Sequence, residues 1–241
     1  KPYPALTERR KLKFDINTFT FALAIKRGLP ASKSPYILCN DAISYTTNME
    51  SNYKVVIEAH CDEISWIISH IGDDGKISVN RHGGSDVQIA PSKKVVIHTR
   101  KNGLVEGVFG WPAIHVRKGK DSAPELKNLF IDTGYDSKDK LTELGIEVGN
   151  IVTFSDEFSE LGDYYVGKSL DNKIGGYIIA EVARRLKEND IKLPYDLYVV
   201  NSVQEEVGLY GAKMVAQTIC PDIAIVTDVC HNTNTPMMDK S

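Results

Sequence analysis

The chain has 241 residues, 42% hydrophobic and 25% charged, an ordinary globular composition with room for one large domain or two small ones. A net charge of −3 leaves no basic footprint, so nucleic acid is not an expected partner. No run approaches the roughly 18 apolar residues of a membrane span, and four scattered cysteines without a CxxC pair read as reduced thiols. The opening KPYPALTERRK is not followed directly by an apolar segment, so it is not a signal peptide, and a cytoplasmic protein is expected. With no initial Met and a stop at MMDKS soon after a strand-like run, the chain is expected to be incomplete at both ends.

In chain order, TFTFALAIKRG alternates Phe19, Phe21, Leu23 and Ile25 and suits a strand, with a helix as the alternative. KVVIEAHCDEISWIISHI (Lys54–Ile71) reads as a strand, an acidic interruption and a second apolar run, closed by a DDG turn at Asp73–Gly75. Short β-branched runs follow as far as Gly162: KISVN, KKVVIHT, GLVEGVFG, NLFID and NIVTF. Among them SKDKLTELG predicts one short helix with Ser137 as N-cap and Gly145 just past its end. RHGGSD (Arg81–Asp86) lacks phosphate-loop spacing and reads as a turn. After Gly162 the pattern becomes α/β. NKIGGYIIAEVARRLKEN predicts a helix with Ile174, Ile178, Val182 and Leu186 on one face. YDLYVVNSV predicts a buried strand. GAKMVAQTI predicts a helix facing inward through Ala212, Val215, Ala216 and Ile219, and DIAIVTDV predicts a further buried strand. The expected fold class is therefore α/β, a mixed or parallel sheet with helices on both faces, interrupted by an inserted β-rich, barrel-like unit. The boundaries expected are 1–68 and 164–241 for the α/β part and 69–163 for the insertion.

Four places put acids or imidazole at the ends of apolar elements. His60 ends KVVIEAH, with Asp62 two residues on; Asp171 lies in KSLDNK before a helix; Glu205 and Glu206 end LYVVNSVQEE; Asp228 ends AIVTDV. In open α/β sheets ligands bind outside the carboxyl ends of strands, so these positions can converge on one crevice. One imidazole with several carboxylates suits Zn²⁺, Mn²⁺ or Co²⁺, and adjacent carboxylates fit a pair of metals that needs one ligand and one base. Taken singly each has a plainer explanation. His60 suits a hydrogen-bonded strand end, Asp171 an N-cap, Glu205–Glu206 a solvated strand end and Asp228 a turn. His70, His82, His98, His115 and His231 have no such pattern around them and read as structural or surface residues.

AHCDEIS, SLDNKIGG, VQEEVGLYGA and VTDV, in this order with a β-rich unit between the first two, resemble the dinuclear metallo-aminopeptidases of the tetrahedral TET type. That group includes glutamyl and deblocking aminopeptidases, and some of its members carry an endoglucanase or cellulase label. GGSDVQIAP, GVFGWPAIHVRK, LFIDTGYDSKD and LGIEVGNIVTF are similar to its insertion domain. The likeness runs from about Lys54 to Lys240, and residues 1–53 lie outside it. The resemblance implies two divalent ions, Zn, Co or Mn. His60 and Asp228 would bind one, Asp171 would bridge, and Glu206 would bind the other. Glu205 would be the general base and Asp62 would orient His60. It further implies peptide substrates, release of the N-terminal residue, dimerisation through the insertion and a large homo-oligomer built from dimers.

Three departures stand beside this likeness. The family's remaining ligand, a histidine in a Tyr-x-His-Ser-type segment well beyond Asp228, is not in this sequence. DNK replaces DNR, and GLYG replaces GLRG, so Lys173 and Tyr210 flank the site and bear on substrate preference. The missing ligand keeps a second reading open, a truncated non-catalytic assembly or binding module of the same fold. A glycosidase is disfavoured, since it normally needs two carboxylates flanking a sugar bond rather than a His/Asp/Glu cluster.

Overall fold

The computed structural model describes residues 53–117 and 122–238, together with the backbone of Asp41–Tyr45. The expected strand over Phe19–Ile25 lies outside the described residues. Two β systems make up the described chain. The first is a four-stranded sheet of β1 (Asp41–Tyr45), β2 (Lys54–His60), β11 (Asp196–Ser202) and β12 (Ile223–Val226), in the order β1–β11–β2–β12. The strands β11, β2 and β12 are parallel, and β1 runs antiparallel to β11. The second is a closed barrel of β3 (Ser65–Ile71), β4 (Ile77–His82), β5 (Lys94–Thr99), β6 (Gly103–Gly110), β7 (Phe130–Asp132) and β8 (Ile151–Phe154). A hairpin of β9 (Ser159–Leu161) and β10 (Tyr164–Val166) leads back to the sheet. The mixed α/β sheet and the barrel are thus both present as the residue pattern implied.

β2 and β11 are near-continuous apolar runs because both faces of a parallel sheet are covered. Val55, Ile57, Ala59, Leu197 and Val199 pack with Ile179 of α2 (Leu170–Glu188). Val56 and Val200 point the other way and pack with Val215 of α3 (Tyr210–Ile219). The barrel has its own core, where Trp66, Phe109 and Phe154 meet edge-on with centroids 5.1–6.4 Å apart.

Local signals are followed closely at α1 (Lys138–Glu143). Ser137 Oγ accepts the Lys140 N–H, and Gly145 adopts φ +79° just beyond the helix end. Ser137→Ala is expected to cost about 1 kcal/mol, read from urea unfolding of the barrel.

Three expectations are corrected. The sheet-facing stripe of α2 is Gly175, Ile179, Ala183 and Leu186, whereas Ile174, Ile178 and Val182 are exposed. Adjacent Ile178 and Ile179 satisfy the helical period in either phase, and a one-residue change of phase turns the face by about 100°. The described α3 face is Gly211, Ala212, Val215 and Ile219; Ala216 is exposed. Strand β12 is exposed along its length instead of buried. Among the described residues it is the outer strand of the sheet, and the described helices lie over β2 and β11. No helix among the described residues is long and apolar enough to cross a membrane.

Candidate metal centre

The carboxyl ends of β2, β11 and β12 lie side by side because the three strands are parallel and nearly in register. Ser202 pairs with His60, and Val226 with Glu58. The loops that leave these ends carry the acids. His60, 2% exposed, is the centre of the arrangement. Its Nε2 lies 3.0 Å from Asp171 Oδ1, 3.7 Å from Glu205 Oε2 and 3.9 Å from Asp228 Oδ2. Its other nitrogen, Nδ1, lies 3.1 Å from the Asp62 carbonyl oxygen and 3.5 Å from Asp62 Oδ1.

Asp62 also holds the QEE turn. Its two oxygens accept the backbone N–H groups of Glu205 and Glu206, each at 3.2 Å. One carboxylate therefore fixes both the imidazole and the two glutamates, which binds two strand ends into one rigid rim.

Asp171 arrives differently from the expected N-cap. It lies in the first turn of α2 with φ −81° and ψ 109°, and a cis peptide joins it to Asn172. The capping role belongs to Asn172, which is buried. Its Oδ1 accepts the Gly175 N–H at 3.1 Å, and its Nδ2 donates to Thr227 O at 2.6 Å. Freed from capping, the Asp171 side chain turns toward His60.

Electrostatics follow from crowding. Burial pulls the His60 imidazole down, but the hydrogen bond and charge of Asp62, with Glu205 and Asp171, push it up to about 9. Burial opposes ionisation of Asp62, yet His60 and the two backbone N–H groups hold its carboxyl low. Glu205 is raised by burial and by the charges of Asp228, Asp62 and Asp171, against the pull of His60. Glu206 is raised by burial and by Asp171. Without a metal, the imidazolium is the cation that offsets the acids in this crevice.

The donor set fits borderline divalent cations. Ligand atoms of His60, Asp171 and Asp228 lie within 4.8 Å of one another, and so do those of His60, Glu205 and Glu206. Every residue singled out at the sequence level, His60, Asp62, Asp171, Glu205, Glu206 and Asp228, is thus brought into one crevice.

Two contributors were not legible. Glu63 gathers the start of α2. It accepts from Ser169 Oγ and from Lys173 Nζ at 3.2 Å, with Lys168 Nζ at 3.5 Å. Lys173, read from sequence as a residue flanking the site, is engaged in an ion pair with Glu63. Gly83, in the turn after β4, is the other. A Cβ there would meet Glu206 Cβ at 3.1 Å and Glu206 O at 3.2 Å, and its φ is +69°. The RHGGSD turn thus supports the QEE turn from the barrel side. Gly83→Ala is expected to weaken metal uptake about tenfold, the low end of the range for a supporting residue, with the melting of the barrel little changed. Calorimetric metal titration alongside thermal unfolding reads both quantities.

The chain is similar in sequence and fold to proteins of known family. The sequence profile of the M42 glutamyl aminopeptidase family matches residues 41–241. A lysyl aminopeptidase of Pyrococcus furiosus is 33% identical over 180 residues, covering 73% of this chain and 51% of that protein. The structure of aminopeptidase APDkam598 from the archaeon Desulfurococcus kamchatkensis superposes with a TM-score of 0.79 at 34% identity, covering 93% of this chain and 61% of that one. The structure of PhTET1-12s, a dodecamer, gives 0.73 at 26% identity, covering 89% and 64%. The chain spans about half the length of the curated relatives it matches.

Proposed function

Because this chain belongs to the M42 glutamyl aminopeptidase family, we propose that it carries the catalytic crevice of a metal-dependent aminopeptidase that removes N-terminal residues from peptides. The observation that carries the reading is the convergence of Asp171, Glu205 and Asp228 within 4 Å of His60 Nε2. His60, Asp171 and Asp228 would hold one divalent ion, with Asp171 shared and Glu206 on the second. Zn, Co and Mn all suit this donor set. When bound, such ions polarise a carbonyl oxygen and ease the deprotonation of water.

The chain's own residues supply the rest. Glu205 accepts the proton of the attacking water as the general base. Asp62 keeps the His60 ring oriented and the QEE turn closed. An exopeptidase is favoured over an endopeptidase because the family to which the chain belongs is one of aminopeptidases.

The same reading takes the inserted unit, expected over 69–163 and with its barrel beginning at Ser65, as the part that pairs subunits, and the dodecameric state of PhTET1-12s supports a homo-oligomer assembled from dimers. A cytoplasmic setting is part of the same reading. The non-catalytic alternative is disfavoured, because the acids of the crevice are retained and aimed at one point.

The test is hydrolysis of aminoacyl p-nitroanilides by the complete natural protein with Co²⁺, Mn²⁺ or Zn²⁺, against the chelated protein. Metal-dependent release from free-amine substrates, and none from their N-acetyl forms, is the expected outcome. Equal cleavage of both forms, or activity that survives chelation, would sink the reading.

A further inference from the structure

Two carboxylates, Asp62 and Glu63, follow His60 and reach in different directions. Asp62 holds the QEE turn, whereas Glu63 holds the segment that carries Asp171. Ser169, two residues before Asp171, donates from its Oγ to Glu63 Oε2. Lys173, two residues after it, donates from Nζ to Glu63 Oε1 at 3.2 Å. One side chain beyond the end of β2 thus grips the chain on both sides of Asp171. Lys168 Nζ lies 3.5 Å from Glu63 Oε2 and 3.4 Å from Thr153 Oγ1 in β8, which carries the grip on to the barrel wall. Only 23% of the Glu63 side chain is exposed, and partly buried ion pairs are screened far less than those on an open surface.

The backbone bears the mark of this grip. Ser169 immediately precedes α2, where a serine ordinarily caps the helix with its hydroxyl. Here it makes no such cap. Its φ is +61°, in the left-handed region that a residue with a Cβ enters at a cost, and its hydroxyl turns to Glu63 instead. Among the described residues, the hydrogen bond of the Asp171 carboxylate is to His60, and that carboxylate is 54% exposed. Its place is therefore set by the backbone. Asn172 pins that backbone through Thr227 O, and Glu63 pins it through Ser169 and Lys173.

We propose that Glu63 is a positioning residue for the metal centre: it fixes the backbone around Asp171 and so keeps that carboxylate aimed at His60, where both groups of donors meet. The proposal rests on the reading of the crevice as a metal site in which Asp171 is shared. Glu63 touches neither ion nor substrate and takes no proton. Its effect is geometric, and a misplacement of about 1 Å at a reacting centre can cost about 100-fold in rate.

The experiment uses the complete natural protein and three variants. Glu63→Ala removes both arms of the grip. Glu63→Gln keeps an acceptor for Ser169 but loses the ion pairs with Lys168 and Lys173. Ser169→Gly removes one arm at a φ that glycine adopts freely, so it tests the grip without threatening the fold. Calorimetric titration with Mn²⁺ is expected to show uptake weakened about 10- to 100-fold in Glu63→Ala and by smaller factors in the other two. At saturating metal, kcat for aminoacyl p-nitroanilides should fall about tenfold or more in Glu63→Ala, with KM within about twofold of wild type. The visible spectrum of the Co²⁺-loaded protein should change in the same order, because it reports ligand geometry. Unchanged Mn²⁺ affinity and Co²⁺ spectra in Glu63→Gln and Ser169→Gly overturn the proposal, even if thermal stability falls, and they decide it alone should Glu63→Ala not fold. If the wild-type protein binds ions but hydrolyses no amide, the aminopeptidase reading falls, while affinities and spectra still decide the role of Glu63. A wild-type protein that takes up no ion overturns both.

Discussion

Glu205→Gln is expected to lower kcat for p-nitroanilide hydrolysis by roughly 10²–10⁴-fold and to leave metal uptake nearly unchanged. The amide keeps the shape of the carboxylate but cannot take a proton. The turn around it is held through backbone N–H groups donated to Asp62, which the substitution does not disturb. In the metal-free protein, removing one of five clustered acids also relieves repulsion among the rest, so folding is not expected to suffer. A loss in kcat with KM unchanged marks a group that acts in the transition state rather than in binding. Calorimetry alongside kinetics separates the outcomes. If Glu205→Gln keeps full activity, the base is another residue. If it loses an ion, Glu205 is a ligand, and Glu206 becomes the candidate base.

The second large effect concerns His60. It belongs to both groups of converging donors, one with Asp171 and Asp228 and the other with Glu205 and Glu206. His60→Ala is therefore expected to reduce uptake from two ions to one or none. Its activity should fall further than the roughly 10- to 100-fold typical of removing a residue that only orients a ligand. Asp62→Ala, which removes such an orienting group, supplies the internal comparison. Equal losses in the two variants would mean that His60 is not a ligand. Metal content measured by mass spectrometry on the purified variants gives a readout independent of turnover.

Much of this was legible because the chemistry sits at places the sequence marks clearly. His60, Glu205 and Asp228 follow apolar runs that can only be buried strands or strand edges, and parallel strands bring their carboxyl ends together. Ser137 and Gly145 bracket a helix whose caps are made within a few residues, so local reading sufficed. What failed was phase and partnership. The α2 period admitted two faces because Ile178 and Ile179 are adjacent, and the choice between them depends on how Asn172 and Gly175 seat the helix against Thr227. Glu63 looked like half of an acidic turn pair, yet it binds Lys168, Ser169 and Lys173 over a hundred residues away. Gly83 looked like an ordinary turn glycine, and its role depends on contact with Glu206. No sequence window holds both members of such pairs.

The Asp62 carboxylate has a consequence for the order in which the molecule forms. Its hydrogen bonds to Glu205 and Glu206 join positions 143 and 144 residues apart, and the whole barrel lies in the intervening chain. Closing so long a loop is entropically expensive for an extended chain and much easier once the intervening stretch has become compact. The rim is therefore expected to close more readily once the barrel has formed, which would make capture of a metal ion a late folding event. A chelator acting during refolding should leave a collapsed barrel beside an open sheet end.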